Sequence, residues 1–288
     1  VAHKDGATTD CHNYAPVNVT LNLEQGSFTM VGSFYISGLL GYAGNTATDC
    51  TNEGTVTVSG DYDLYNSRYG HLLISGCIGR RASKTYTNVD NKGDIVVNVH
   101  YTSKANKHSS DPNHLIVGGV FSGFGGEVAV TGCDNSGDII IGEGTIVDNA
   151  DVFLCAGGVS ATSAASVDLV NCHNTGNITM NGTAKHGAIL GGVLARYVST
   201  AVVENCSNSG NILVTTGKEG TSYVKSLYVG GLSGSQSSKA VTVTNFLNSG
   251  TITYQGKVTD TCRLGGVVGS QTQSAAAWTG IVNTGNIV

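Results

Sequence analysis

The sequence predicts an all-β protein: a parallel β-solenoid, or β-helix, of about seven coils of 34 to 44 residues with three short strands per coil. Three observations lead there. The motif N-x-G recurs at Asn52, Asn91, Asn135, Asn174, Asn208, Asn248 and Asn283. A glycine-rich apolar patch precedes each motif at a nearly constant distance. The residues that follow each motif alternate between apolar and polar.

The first 30 residues read as a polar N-terminal arm and a degenerate first half-coil. Within them Cys11-His12-Asn13-Tyr14-Ala15 aligns with Cys172-His173-Asn174-Thr175-Gly176, and Ala15 replaces the motif glycine. Terminal repeats commonly depart from the pattern in this way. Residues 31–288 read as the solenoid itself, a single domain. Its glycine patches run from Ser37-Gly38-Leu39-Leu40-Gly41 and Ser75-Gly76-Cys77-Ile78-Gly79 through Gly119, Gly158, Gly192 and Gly231 to Gly265-Gly266-Val267. The second residue of every patch is Gly, and it precedes its Asn by 14 to 17 residues. The patch is expected to form one short strand of the coil.

After the motif, the second position of the strand is Val56, Ile95, Ile139, Ile178, Ile212, Ile252 or Ile287. The fourth is Val58, Val97, Ile141, Met180, Val214 or Tyr254, and polar residues stand between them. Period two with one apolar face is a half-buried strand, and stacked columns of Val and Ile are the core of a solenoid. A further β-rich run precedes the motif, as in Val128-Ala129-Val130 and Val241-Thr242-Val243-Thr244. β-Branched residues dominate and helix formers are few. The N-x-G glycine is expected to take a left-handed conformation at a corner. The Asn column is expected to stack its amides from coil to coil.

Composition fits this reading. Glycine occupies 41 positions without a G-X-Y period, which excludes collagen. Hydrophobic residues make up 40% and charged ones 12%, which excludes a disordered polyampholyte. The net charge of −5 is thinly spread and offers no basic surface for nucleic acid. No run of eighteen apolar residues is present to span a membrane as a helix.

The segments Val229-Gly230-Gly231-Leu232-Ser233-Gly234 and Leu264-Gly265-Gly266-Val267-Val268-Gly269, each paired with an N-x-G-x-I strand, resemble GLUG-type repeats of secreted and surface proteins. The resemblance covers most of residues 31–288. It implies an extracellular or cell-surface protein that acts as a spacer or binding platform, and it brings no catalytic residues.

Individual residues take their places on this frame. Cys11, Cys50, Cys133, Cys172 and Cys206 share one column, two residues before the motif Asn, with Val89, Phe246 and Ile281 elsewhere in it. Apolar substitution points to the core, although adjacent coils lie within disulfide range. Asp94 and Asp138 share an outward column and form the one candidate for a metal, a Ca²⁺ that would relieve their repulsion. His100, His108 and His114 fall in and around a polar insertion. The sequons at Asn18, Asn177, Asn181 and Asn205 all come out on the solvent face and predict N-linked glycans. The chain starts at Val1-Ala2-His3, so a leader has been removed or the sequence is a fragment. It stops at Val288 in mid-coil with a strand edge uncovered.

These readings combine into an expected function. The chain is a glycosylated, non-enzymatic, extracellular structural subunit without a cofactor, which stacks head to tail on copies of itself into a filament or appendage. A surface adhesin or spacer fragment that binds glycan or protein is the alternative. A polysaccharide-acting β-helix enzyme comes third, because paired acids are scarce.

Overall fold

A computed structural model describes residues 3–4, 6–23, 33–63, 70–81, 84–102, 114–124, 126–148, 152–163, 166–197, 199–216, 223–236, 241–272 and 277–288. It is a parallel β-solenoid of about six turns. Three parallel sheets of 8, 11 and 15 strands run along the axis. All strand pairs join one coil to the next, with partners 34 to 46 residues apart. The path of one coil shows the plan: Leu72–Ser75, Ile78–Arg81, Thr85–Asn91 and Ile95–Tyr101. The second segment joins the 8-stranded sheet and the third the 11-stranded one. The first and last both belong to the 15-stranded sheet. Among the described residues no helix is long and apolar enough to cross a membrane.

The glycine patch differs from expectation. It is a bend between two strands, as in Leu115–Gly118 and Phe121–Phe124 around Gly119. The bend dips inwards until it meets the motif Asn of its own coil. A Cβ on the second glycine of a patch would lie 2.1 Å from Asn91 Cγ at Gly76 and 2.3 Å from Asn174 Cγ at Gly158. Only glycine permits that approach, because no side chain fits in such a gap.

This contact pinches the coil into two lobes, and the core divides accordingly. One lobe holds Val56, Val58, Leu72, Ile74, Ile95, Val97, Leu115 and their equivalents. The other holds Leu40, Ile78, Tyr86, Val89, Phe121, Val130, Leu169 and the buried cysteines of the column. The second lobe is the segment from Gly to Asn, so closure at the waist fixes its length. Coil length varies mainly in the other half, from Asn to the next patch, which runs from 18 residues between Asn174 and Gly192 to 28 between Asn91 and Gly119.

Residues assigned to an N-terminal arm instead lie in register on the solenoid. His3–Lys4 pairs with Tyr42–Ala43, Thr8–Thr9 with Ala47–Thr48, and Val17–Leu23 with Val56–Tyr62. Their alternation satisfies the next coil's backbone groups, which an extended arm would leave open.

Candidate functional site

The most regular polar feature of the molecule is a spine of asparagines at the waist. Asn52, Asn91, Asn135, Asn174, Asn208 and Asn248 are buried, each 1% exposed or less. The Nδ2 group of each donates to the Oδ1 of the next: Asn13 to Asn52 at 2.7 Å, Asn52 to Asn91 at 2.9 Å, and Asn91 to Asn135, Asn135 to Asn174, Asn174 to Asn208 and Asn208 to Asn248 at 2.8 Å. Asn248 then donates to Asn283 at 2.7 Å. The other N–H of each amide donates to the carbonyl two residues on, for example Gly176 O at 2.8 Å from Asn174. Both protons and the carbonyl are used, which is the condition for burying an amide without penalty. Every amide-to-amide bond points the same way along the axis. The spine therefore has an acceptor end at Asn13 and a donor end at Asn283.

The N-x-G glycine serves the spine through contact, and the expected left-handed conformation is not found there. A Cβ at Gly176 would lie 2.0 Å from Gly137 O, and at Gly210 1.9 Å from Gly176 O, so the motif turns stack too closely for any side chain. The left-handed corner lies three residues before each Asn. Asp10, Asp49, Asn88, Asn171, Asn205 and Asn245 have φ between 51° and 56°, and Gly132 and Gly280 have 61° and 68°. All eight of these corner positions hold Asp, Asn or Gly, the three residue types that tolerate this region most easily. With the coils aligned on the motif Asn, these residues stand in one column of the sequence, three positions before it.

The cysteine column faces the second lobe. Cys50, Cys133, Cys172 and Cys206 are buried beside Val89 and Phe246, while Cys11 is exposed at the first coil. All eight cysteines are thiols. Burial pushes the Cys50 and Cys77 thiols upward. The Cys172 thiol is raised by its hydrogen bond with Cys206 and by burial. None of these has the electropositive, accessible surroundings of a reactive cysteine.

Asp94 and Asp138 do lie on adjacent coils, and backbone donors already serve them. The Asp138 N–H donates to Asp94 Oδ1 at 2.9 Å, and Asn177 gives its backbone N–H and its Nδ2 to Asp138 Oδ1 at 2.8 and 3.1 Å. Among the described residues no cluster of three or more His, Cys, Asp or Glu could hold a metal ion. Of the sequon residues, Asn18 and Asn205 are exposed, and Asn177 and Asn181 are half-buried. Asn177 is tied into the column just described, and Asn181 Oδ1 accepts from the Thr215 hydroxyl. Asn205 Oδ1 likewise accepts from Asn245 Nδ2 at 3.0 Å, so three of the four outward acceptors bond to a side chain on an adjacent coil.

His108 lies outside the described residues. His100 stands 3.5 Å from Asp61 at the surface. His114 is buried, where its Nδ1 accepts from the Phe153 N–H at 3.3 Å and its Nε2 lies 3.2 Å from Arg196.

The two end coils complete the site. At the first coil the second lobe opens into a cavity of about 700 Å³ walled by Cys11, Leu39, Leu40, Ala47, Cys50 and Ile78. At the last coil Trp278, Ile281 and Val267 cover the same lobe and remain part-exposed. No protein-family profile matches the chain, and no curated protein or solved structure is significantly similar to it.

Proposed function

We propose that this chain is an extracellular, non-enzymatic structural subunit, N-glycosylated, that extends by stacking head to tail on further copies of itself. The observation that carries the reading is the polarity of the buried spine. Asn283 Nδ2 donates to Gly285 O at 3.0 Å and keeps a second N–H for an amide beyond it. Asn13 Oδ1 meets only a 3.3 Å contact from the Ala15 N–H and keeps a lone pair for an amide before it. Donor end and acceptor end are complementary, and a contact that joins unlike surfaces without closing produces a linear polymer. The parallel sheets carry the same polarity. The low content of charge, 12% of residues, leaves the long faces free of strong self-repulsion. The likeness to GLUG-type repeats supports an extracellular setting, and the exposed acceptors Asn18 and Asn205 fit a secreted glycoprotein.

Sedimentation and negative-stain electron microscopy across a concentration series test the reading. Expected are unbranched rods whose length grows with protein concentration. A monomer at every concentration would overturn it. Intact mass before and after deglycosylation tests the second element. A loss of mass assigned to Asn18 and Asn205 is expected, and an unchanged mass in natural material would refute glycosylation.

A further inference from the structure

We infer that the furrow on the outside of the waist binds an acidic polysaccharide, a linear glycan whose carboxylates are spaced apart by uncharged sugar. The site lies on interior coils and does not depend on head-to-tail stacking.

Each glycine patch dips towards the motif Asn, so the strands before and after it form the two walls of a furrow along the axis. Its floor is an apolar cluster separate from the two lobes: Leu73, Ile116, Cys155 and Ile189 of one wall meet Ala161 and Ala195 of the other. Tyr35, Phe153 and Tyr228 pack on this floor and remain half-buried at the mouth. Part-exposed aromatic rings of this kind offer an apolar body for the C–H face of a sugar ring.

Charge is sorted by face. The wall strands from Phe34–Ser37 and Leu40–Ala43 up to Val224–Gly230 and Ser233–Gln236 carry Arg80, Arg81, Lys185, Arg196 and Lys225, and no Asp or Glu. The strands of the 11-stranded sheet carry Asp49, Asp90, Asp168 and Glu204, and no Lys or Arg. A chain of net charge −5 thus presents a cationic strip along the furrow.

Two of these cations reach into the furrow, and among the described residues neither meets a carboxylate. Arg80 Nη1 donates to the Tyr35 hydroxyl at 3.1 Å, and Arg196 Nη1 lies 3.2 Å from His114 Nε2. His114 is 3% exposed. Its Nδ1 accepts from the Phe153 N–H at 3.3 Å, which assigns the proton of the neutral ring to Nε2. That N–H and the Arg196 guanidinium are therefore two donors turned to one place. A carboxylate laid against Arg196 accepts from both. Arg80, Gly123, Thr162 and Arg196 follow one another in register, so the two guanidinium groups stand three coil spacings apart, about 14 Å. Duplex nucleic acid carries a charge about every 1.7 Å and is far too dense for this spacing. A sparsely charged glycan suits it.

Isothermal titration with hyaluronan, a linear glycan with one carboxylate per disaccharide, tests the inference. Neutral dextran, poly-glutamate and oligothymidylate serve as comparison polymers. Expected are binding of hyaluronan that weakens as salt is raised and no binding of dextran. Arg196→Gln and, separately, Arg80→Gln should each weaken hyaluronan about tenfold. Lys92→Gln, which removes a cation that is bonded to Glu53 and lies outside the wall strands, should leave binding unchanged. Arg80 is exposed, so its replacement spares the fold, and circular dichroism checks both arginine variants. Failure of hyaluronan to bind, or binding that neither arginine variant weakens, overturns the site. Tighter binding of poly-glutamate or oligothymidylate than of hyaluronan overturns the glycan as its occupant.

Discussion

Replacing Asn174 by alanine, in the middle of the spine, removes three hydrogen bonds at once. They are the one from Asn135 Nδ2, the one to Asn208 Oδ1 and the one to Gly176 O. Asn135 and Asn208 are both 1% exposed, so the proton and the lone pair left behind have no water to turn to. A buried group stranded in this way costs about 1–3 kcal/mol, and with the third bond the loss comes to about 3–5 kcal/mol. Asn283→Ala breaks two bonds at the exposed end of the spine, and because Asn283 is itself exposed its truncation opens Asn248 Nδ2 and Gly285 O to water, so its cost should stay near 1 kcal/mol. Urea unfolding of the two variants beside wild type measures the contrast. A loss below 1 kcal/mol for Asn174→Ala, or equal losses at the two positions, would refute the view that satisfied burial of the amides holds the waist.

The same site permits a finer test. A Cβ on Gly158 would lie 2.3 Å from Asn174 Cγ and 2.1 Å from Gly192 O. Gly158→Ala should be strongly destabilising alone and less so in the Asn174→Ala background, where one of its two clashes is gone. The double-mutant cycle should show coupling of at least about 1 kcal/mol. Asn174→Asp adds a pH signature. An ionised carboxylate there would face the oxygens of Gly176 and Asn208, so its folded pKa is raised above the unfolded value near 4. Stability is then retained below that value and lost as pH rises through the folded pKa.

Three further outcomes follow from other columns. Asn171→Gly, at φ 54°, should leave stability nearly unchanged, whereas Asn171→Ala should lower it by about 1 kcal/mol in thermal or urea unfolding, through the strain of a left-handed Cβ. A reductant should not shift the melting temperature, and a thiol reagent should modify Cys11 and Cys262 in the folded chain but the six buried thiols only after unfolding; Cys172→Val, a residue type that the column already carries at Val89, should cost under about 1.5 kcal/mol. Burial first, then Arg196, His71 and His186, holds the His114 pKa well below its usual range, so the unfolded chain takes up a proton that the folded one refuses. Stability should therefore fall as pH drops below about 6.5, and His114→Gln should flatten that slope in unfolding curves at pH 7.5 and 5.5.

The columns were legible in the sequence because each coil is a fresh sample of one environment. Val56, Ile95 and Ile139 recur where the core is, and Val89 and Phe246 disclosed that Cys50 and Cys172 are core positions. Interactions between coils and across the coil were harder to read. Gly54 and Gly93 invite a conformational explanation because N-x-G resembles an ordinary turn. Their constraint is the carbonyl of the coil below, which no single repeat contains. The constant distance from Gly119 to Asn135 or from Gly158 to Asn174 was visible as a number. Its cause, the closing of a lobe upon itself, needed the backbone. Asn177 and Asn181 alternate outward as expected, yet alternation says nothing about the neighbours they then bond on the next coil.

A buried amide spine is an odd way to hold a coil if stability alone is at issue, since a stack of Val or Ile would remove more apolar surface from water. Its value lies in register. The Val and Ile columns of adjacent coils would tolerate a shift by two residues along the strand, because period two returns apolar side chains to the same face. The spine does not tolerate it: such a slip sets an Asn amide against the motif glycine or against the Cys, Val, Phe or Ile two residues before the next Asn, and strands one of its protons and its oxygen. The glycines at the waist enforce the same choice, since only the coil's own glycine leaves room for the amide. Within one chain this discriminates among ways of stacking a repeat whose coils are nearly alike. Between chains it would act in the same manner. A copy arriving in the wrong register would present no acceptor to Asn283, whereas the correct one joins Asn283 to Asn13 and continues the spine across the joint. The feature that costs stability in the coil is thus what would make its extension specific.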